Sequence, residues 1–293
     1  MKFFICITLL TSITFLYCAN ANANANVDDC EGARQRIVAA EQQGNISKKF
    51  EMLKLSANEC PAADTLMALA SNYINNKQPS KALHVLEKTE AYVSSSNSML
   101  FGFWNALKSE AYVQENRLCK AHSALIQAKV ALGVEHALVK EVDLAFEFQR
   151  SQQALDEKTL ACLLSATRSA FDRGVGIRPS INISVTFATD SELPTELGNQ
   201  QVTKLANILS NSNYQRYKFV VVGHADTRGD ANYNMELSKR RSAQVKKQIT
   251  QQMPSLQGRI SSKGRGESSP KANGNDAKSH AINRRVEVVL RRI

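Results

Sequence analysis

Beyond Asn26 the sequence has no long apolar run, which excludes a membrane-spanning helix from that part of the chain, since a span needs about 20 consecutive apolar residues. It also lacks Cys-x-x-Cys and His-Glu-x-x-His, the spacings that mark common zinc sites. The histidines show no ligand spacing: His84, His122 and His136 fall in helical stretches and His280 in a loop. No Ser/His or Cys/His pairing and no acid–base pair of carboxylates stands out, so nothing supports a hydrolase, a metal site or a cofactor. Glycine and proline are scarce between Asp28 and Arg173, where Ala, Leu, Glu, Lys and Gln abound. Those are helix formers, and an all-helical N-terminal half is expected.

The start of the chain carries a different signal. Lys2 precedes an apolar run from Phe3 to Tyr17, after which Ala19, Ala21, Ala23 and Ala25 alternate with asparagine. This pattern predicts a secretory signal peptide over residues 1–25. Cys18 follows the bulky Phe15-Leu16-Tyr17, which argues against lipid attachment there. Cleavage would leave Cys30, Cys60, Cys119 and Cys162, an even number able to pair in an oxidising compartment. Three connectivities are open. Cys30 with Cys60 and Cys119 with Cys162 is preferred, because each pair brackets an expected helical hairpin.

Within the helical half two segments share a phase. Tyr73 leads through Lys77-Gln78 to Ala82 and Leu86; Tyr112 leads through Glu115-Asn116 to Ala121 and Leu125. The small alanine lets paired helices approach closely, and the pattern resembles tetratricopeptide helix pairs. An earlier pair, Glu31 to Gln43 and Ser47 to Ala57, fits the same architecture, and a single flanking helix is expected from Glu141 to Ala170. Phe101, Phe103 and Trp104 read as helix core rather than a ligand platform. The repeats imply a groove for a protein partner, with a spacer or dimerisation module as the alternative.

Gly174, Gly176 and Pro179 interrupt the helical period, placing a linker at 174–180 between a helical domain (26–173) and a second domain (181–293). There the expected order is strand (Ile181 to Phe187), helix (Thr195 to Asn211), strand (Lys218 to Gly223), helix (Tyr233 to Gln252), and strands at Arg259 to Gly264 and Arg284 to Arg291. That predicts an α+β sandwich, βαβαββ with a mixed sheet. The stretch Glu267 to His280 reads as a mobile loop, and the last strand as alternating, with Val286, Val288 and Leu290 inward and Glu287 outward.

One turn concentrates the chemistry. Phe219-Val220-Val221-Val222 suits a buried strand, and Gly223-His224-Ala225-Asp226 follows it, with Gly229 in the turn and Asn234 and Arg241 on the next helix. Asp226 can accept from an ammonium and Arg241 can grip a carboxylate bidentately, so a zwitterionic amino-acid head group satisfies both. Asn234 could fix its orientation. A structural Asp226–Arg241 salt bridge is the plain alternative.

Taken in order, Gly-His-x-Asp, Gly229, Asn234, Leu237-Ser238-x-x-Arg241, Gly264-Arg265-Gly266-Glu267 and Asn283-Arg284-Arg285-Val286-Glu287 resemble the OmpA-like peptidoglycan-binding domain over roughly Ile181 to Leu290. The resemblance implies noncovalent binding of the diaminopimelate of the peptidoglycan stem peptide by Asp226 and Arg241, with Asn234 contributing and His224, Gly229, Arg284 and Arg285 in support. The sequence departs from the family pattern at Ala225, where threonine is usual, and at Ser242, where alanine is; neither change removes a charge. His224 is expected to hold the turn by bonding neighbouring backbone.

Charge fits such a partner. Residues 26–179 balance 18 Lys and Arg against 18 Asp and Glu, whereas residues 180–293 carry 18 against 9. A cationic half attracts polyanions, and secretion favours the carboxylate-bearing wall over nucleic acid. The expectation is a periplasmic, wall-bound protein, associated or not with the outer membrane, with no membrane span in its mature chain.

Overall fold

The computed structural model describes residues 27–174, 179–187 and 191–293. The expected signal peptide and most of the expected linker lie outside the described residues. The chain separates into two compact units, residues 27–117 with 127–139 and residues 118–126 with 140–293.

The first unit is helical: α1 (Val27–Glu41), α2 (Ile46–Glu59), α3 (Ala63–Asn75), α4 (Pro79–Thr89) and α5 (Ser98–Gln114). Asn45 and Asn97 start α2 and α5 by accepting from the backbone N–H of Lys48 and Leu100, which satisfies donors that a helix end leaves orphaned. Leu53, Met67, Ile74, Ala82 and Leu86 are buried. Phe103 and Trp104 are buried as expected of core residues, and the Trp104 indole donates to the Leu86 carbonyl at 2.8 Å. Cys30 and Cys60 form a disulfide, and so do Cys119 and Cys162 in the second unit, the preferred pairing.

The two in-phase segments end their first helices alike. Lys77 and Asn116, each four residues past its tyrosine, both take positive φ, 57° and 56°. The next N–H reaches back to the tyrosine carbonyl, Gln78 to Tyr73 and Arg117 to Tyr112, at 2.9 Å in each case. That is the six-to-one bond of a Schellman cap.

Next in the chain come α6 (Leu118–Leu132), α7 (Ala137–Ser151) and α8 (Glu157–Asp172), and in the second unit the α7 segment from Lys140 and α8 precede the sheet. The single helix expected from Glu141 to Ala170 is thus two. Asp156 breaks it, its carboxylate accepting from the Thr159 N–H at 2.7 Å to cap α8. Then come β1 (Ser180–Ile183), α9 (Glu196–Ser210), β2 (Tyr217–Gly223), α10 (Ala231–Gln252), β3 (Ile260–Gly264), α11 (Ala277–Asn283) and β4 (Val286–Arg292). The sheet order is β1-β4-β2-β3. β4 runs antiparallel to both neighbours and β2 parallel to β3, the mixed α+β arrangement expected. Part of the stretch expected as a mobile loop is α11, which begins where Asp276 accepts from the Ser279 N–H at 2.7 Å.

Helix α10 packs on β2 and β3. Gly223 and Gly264 permit this: a Cβ on either would run into the Ser238–Lys239 region of the helix. On the opposite face Lys218, Ser261, Lys263 and Arg291 are exposed, but the part around Glu287 is closed. Glu287 is buried, not solvent-facing as its alternation suggested. Its neighbour across the β1–β4 ladder, Asn182, donates to Glu147 at 2.7 Å, and Glu147 pairs with the buried Arg150 at 2.8 Å. Arg150 also donates to the Ser184 hydroxyl at 3.3 Å, and Lys271 meets Asp143 at 2.6 Å. Burial opposes ionisation of Glu147, but Arg150 and Lys271 outweigh it and hold this carboxyl below its ordinary value. A sequence alternation rule assumes one wet face; here Asn182 on the second face is tied to Glu147 of α7 and Glu287 beside it is buried.

Candidate functional site

The C-terminal end of β2 delivers the turn 224–229. Its backbone is fixed on both sides, His224 N–H to the Arg285 carbonyl at 3.0 Å and Ala225 N–H to the Gly266 carbonyl at 2.8 Å. Gly229 takes φ +92°, a conformation side chains resist. Asp230 then caps α10 by accepting from the Tyr233 N–H at 2.9 Å.

Asp226 is almost enclosed, its side chain 7% exposed against 64% for Arg228 and 46% for Arg284. Arg228 reaches back over it: Nε lies 3.2 Å from each carboxylate oxygen and Nη2 2.7 Å from Oδ2, while the Arg228 backbone N–H donates to Oδ1 at 3.1 Å. Arg284 Nη1 adds a bond to Oδ2 at 2.7 Å. Burial alone would raise the Asp226 pKa, but the hydrogen bonds from Arg228 and Arg284 dominate and hold it at about 2. The carboxylate is therefore ionised throughout the neutral range.

Asn234 sits beneath the turn, buried. Its Nδ2 donates to the Asp226 carbonyl at 3.2 Å, the Arg228 carbonyl at 3.0 Å and Glu267 Oε2 at 2.8 Å. That nitrogen clamps the turn and the loop after β3. Arg241 donates from Nε to the Ser191 carbonyl at 2.9 Å and lies 4.7 Å from the Phe187 ring centroid, which places it against the segment before α9. His224 turns away from the cluster; its Nε2 meets the buried Glu287 at 3.1 Å, a side-chain partner where backbone was expected. Arg285 is buried and donates to the Ser269 carbonyl at 3.0 Å, supporting the loop before α11. Ser242 is buried and bonds back to the Lys239 carbonyl at 3.0 Å, leaving its hydroxyl satisfied within the helix.

Of the residues singled out from sequence, Asp226, Asn234 and Arg284 are joined directly, with Gly229 shaping their turn. Arg241 stands on the flank at Ser191, and His224 and Arg285 support from beneath. Arg228 was not singled out, although a base two residues after an acid in a tight turn is a signal that spacing offers. Beside the cluster, Thr227, Pro270, Ala272, Asn273, Gly274 and Asn275 line an open depression of about 280 Å³.

The class so defined is an α+β domain carrying a charged turn at a strand end. Residues 186–284 match the OmpA family. The chain is similar to the outer membrane porin F of Pseudomonas aeruginosa, 33% identical over 107 residues, 36% of this chain and 30% of the porin. It is similar also to the probable lipoprotein YiaD of Escherichia coli, 32% identical over 136 residues, 46% of this chain and 59% of the lipoprotein. The match thus spans less than two-thirds of either relative. Among solved structures, the cell wall anchor of the T6SS from Pseudomonas aeruginosa matches at 26% identity and a TM-score of 0.34, over 39% of this chain and 81% of that one.

Proposed function

We propose that residues 181–293 bind peptidoglycan noncovalently through the diaminopimelate head group of its stem peptide. The protein is then an anchor at the cell wall rather than a wall hydrolase. The observation that carries this reading is Asp226, an ionised acid set in a rigid turn and ringed by guanidinium groups. An ammonium matches the acid, and a carboxylate matches the arginines, Arg241 among them. The match of residues 186–284 to the OmpA family supports the ligand class.

The proposed organisation is a signal peptide (1–25), a helical repeat domain (26–173), a linker (174–180) and the wall-binding domain (181–293). A periplasmic location follows from that signal and is supported by relatives named as an outer membrane porin and a probable lipoprotein. The helical half presents a surface to a protein partner; the matched caps at Lys77 and Asn116 support repeated helical hairpins there.

Cosedimentation with purified sacculi tests the proposal. Wild type should pellet with the sacculi, and Asp226→Ala and Arg241→Ala should remain largely in solution. Full sedimentation of both variants would refute the assigned site, and release of soluble muropeptides by the wild type would refute the anchor reading.

A further inference from the structure

The bonds converging on Asp226 leave little room for a newcomer. A carboxylate offers about four lone-pair sites, and Arg228 and Arg284 supply four N–H donors between them, the Arg228 Nε shared by both oxygens. An ammonium can reach the acid only by displacing one of these groups. The backbone will not yield, because Asn234 holds both the Asp226 and Arg228 carbonyls. The guanidinium of Arg228 is the more exposed of the two, 64% against 46% for Arg284, so it is the group that can swing off into solvent at least cost.

We propose that Arg228 is a specificity-determining residue of the site, occupying Asp226 in the free protein and ceding it only to a head group that brings a carboxylate beside its ammonium. This rests on the head-group reading above. When the ligand ammonium takes the acid, Arg228 swings off, yet its α-carbon stays fixed two residues from Asp226. Its planar fork is then within reach of the carboxylate attached to the same ligand carbon as the ammonium, a geometry that guanidinium grips bidentately. A zwitterion replaces one ion pair with two. A bare amine exchanges one cation for another and leaves the guanidinium in water beside Arg284, with no net gain. The exchange therefore filters for amino-acid head groups against simple amines.

Calorimetric titration of the full chain with meso-diaminopimelate and with cadaverine, the same carbon skeleton without the carboxylates, reads this out. Wild type should prefer diaminopimelate. In Arg228→Gln, cadaverine should bind about fivefold more tightly, the worth of an ion pair with one partner in solvent, while diaminopimelate gains nothing, so the preference shrinks. Arg228→Lys, which keeps the charge but not the fork, should fall between. An unchanged preference in Arg228→Gln overturns the inference while leaving the site reading intact. If instead diaminopimelate binds wild type and Asp226→Asn equally, or binds neither, the site reading fails and this inference with it.

Discussion

Asn234 on α10 donates to Glu267 in the loop after β3 at 2.8 Å, from the nitrogen that also holds the turn carrying Asp226. A single amide thus joins the start of its own helix to the turn just before it and to a loop 33 residues further on. Asn234→Ala would leave two carbonyls and a carboxylate without this donor, at about 1–3 kcal/mol for an unsatisfied buried group. The expected result is a lower urea midpoint with an unchanged slope, and weaker sacculus binding because the turn is no longer fixed.

The buried pair Glu147–Arg150 makes a second prediction. Arg150→Met removes the main charge partner of a carboxylate that is 7% exposed, and breaking such a pair costs about 3–5 kcal/mol. Replacing both by Leu should recover much of that loss, since a well-packed apolar pair is often neutral against a buried ion pair. Denaturant unfolding of the single and double variants measures the difference. A single variant as stable as wild type would show that Lys271 and Asn182 suffice to hold Glu147.

Much of the second unit was legible in sequence because its strands and helices change period cleanly. The apolar run Phe219 to Val222 became β2, and the row Leu237, Val245, Ile249 became the buried stripe of α10. What was illegible depends on tertiary cover. Glu287 alternates like a surface residue, but it is buried against His224 and its ladder neighbour Asn182 is tied to Glu147 of α7, and no local pattern announces it. Residues 277–283 have the Ser, Asn and Gly neighbours of a loop, and only the Asp276 cap turns them into a helix. At the candidate site, residue type singled out Asp226 and Asn234, which the structure joins. It could not tell that the Asn234 amide nitrogen is committed to protein acceptors, or that Arg228 folds back on the acid.

The depressed Asp226 pKa fixes the sign of a pH effect. The group is held at about 2 in the folded chain, below the roughly 3.9 of an unfolded aspartate. Its stabilising contribution is complete above the unfolded value and is lost as pH falls from about 4 through 2. Between those limits wild type should lose stability faster than Asp226→Asn. Arg284→Gln removes one of the bonds that lower this pKa, so the carboxyl should titrate at higher pH, which a carbon-detected NMR titration reads directly.

The two disulfides fall in different compact units, Cys30–Cys60 in the first and Cys119–Cys162 in the second. Each cross-link closes a loop, across sequence separations of 30 and 43 residues. Loop-closure entropy makes either worth about 3–4 kcal/mol, with only a few tenths between them. Because both cysteines of each cross-link belong to one unit, the paired variant Cys30→Ser/Cys60→Ser should lower the unfolding transition of the helical unit alone. Sacculus binding should be retained, since every residue assigned to the site belongs to the other unit. Cys119→Ser/Cys162→Ser should instead destabilise the unit that carries the sheet, and binding should fail at a lower temperature than in wild type. Loss of binding at ambient temperature in the first variant, with the sheet-bearing unit still folded by circular dichroism, would mean that the helical unit takes part in wall recognition.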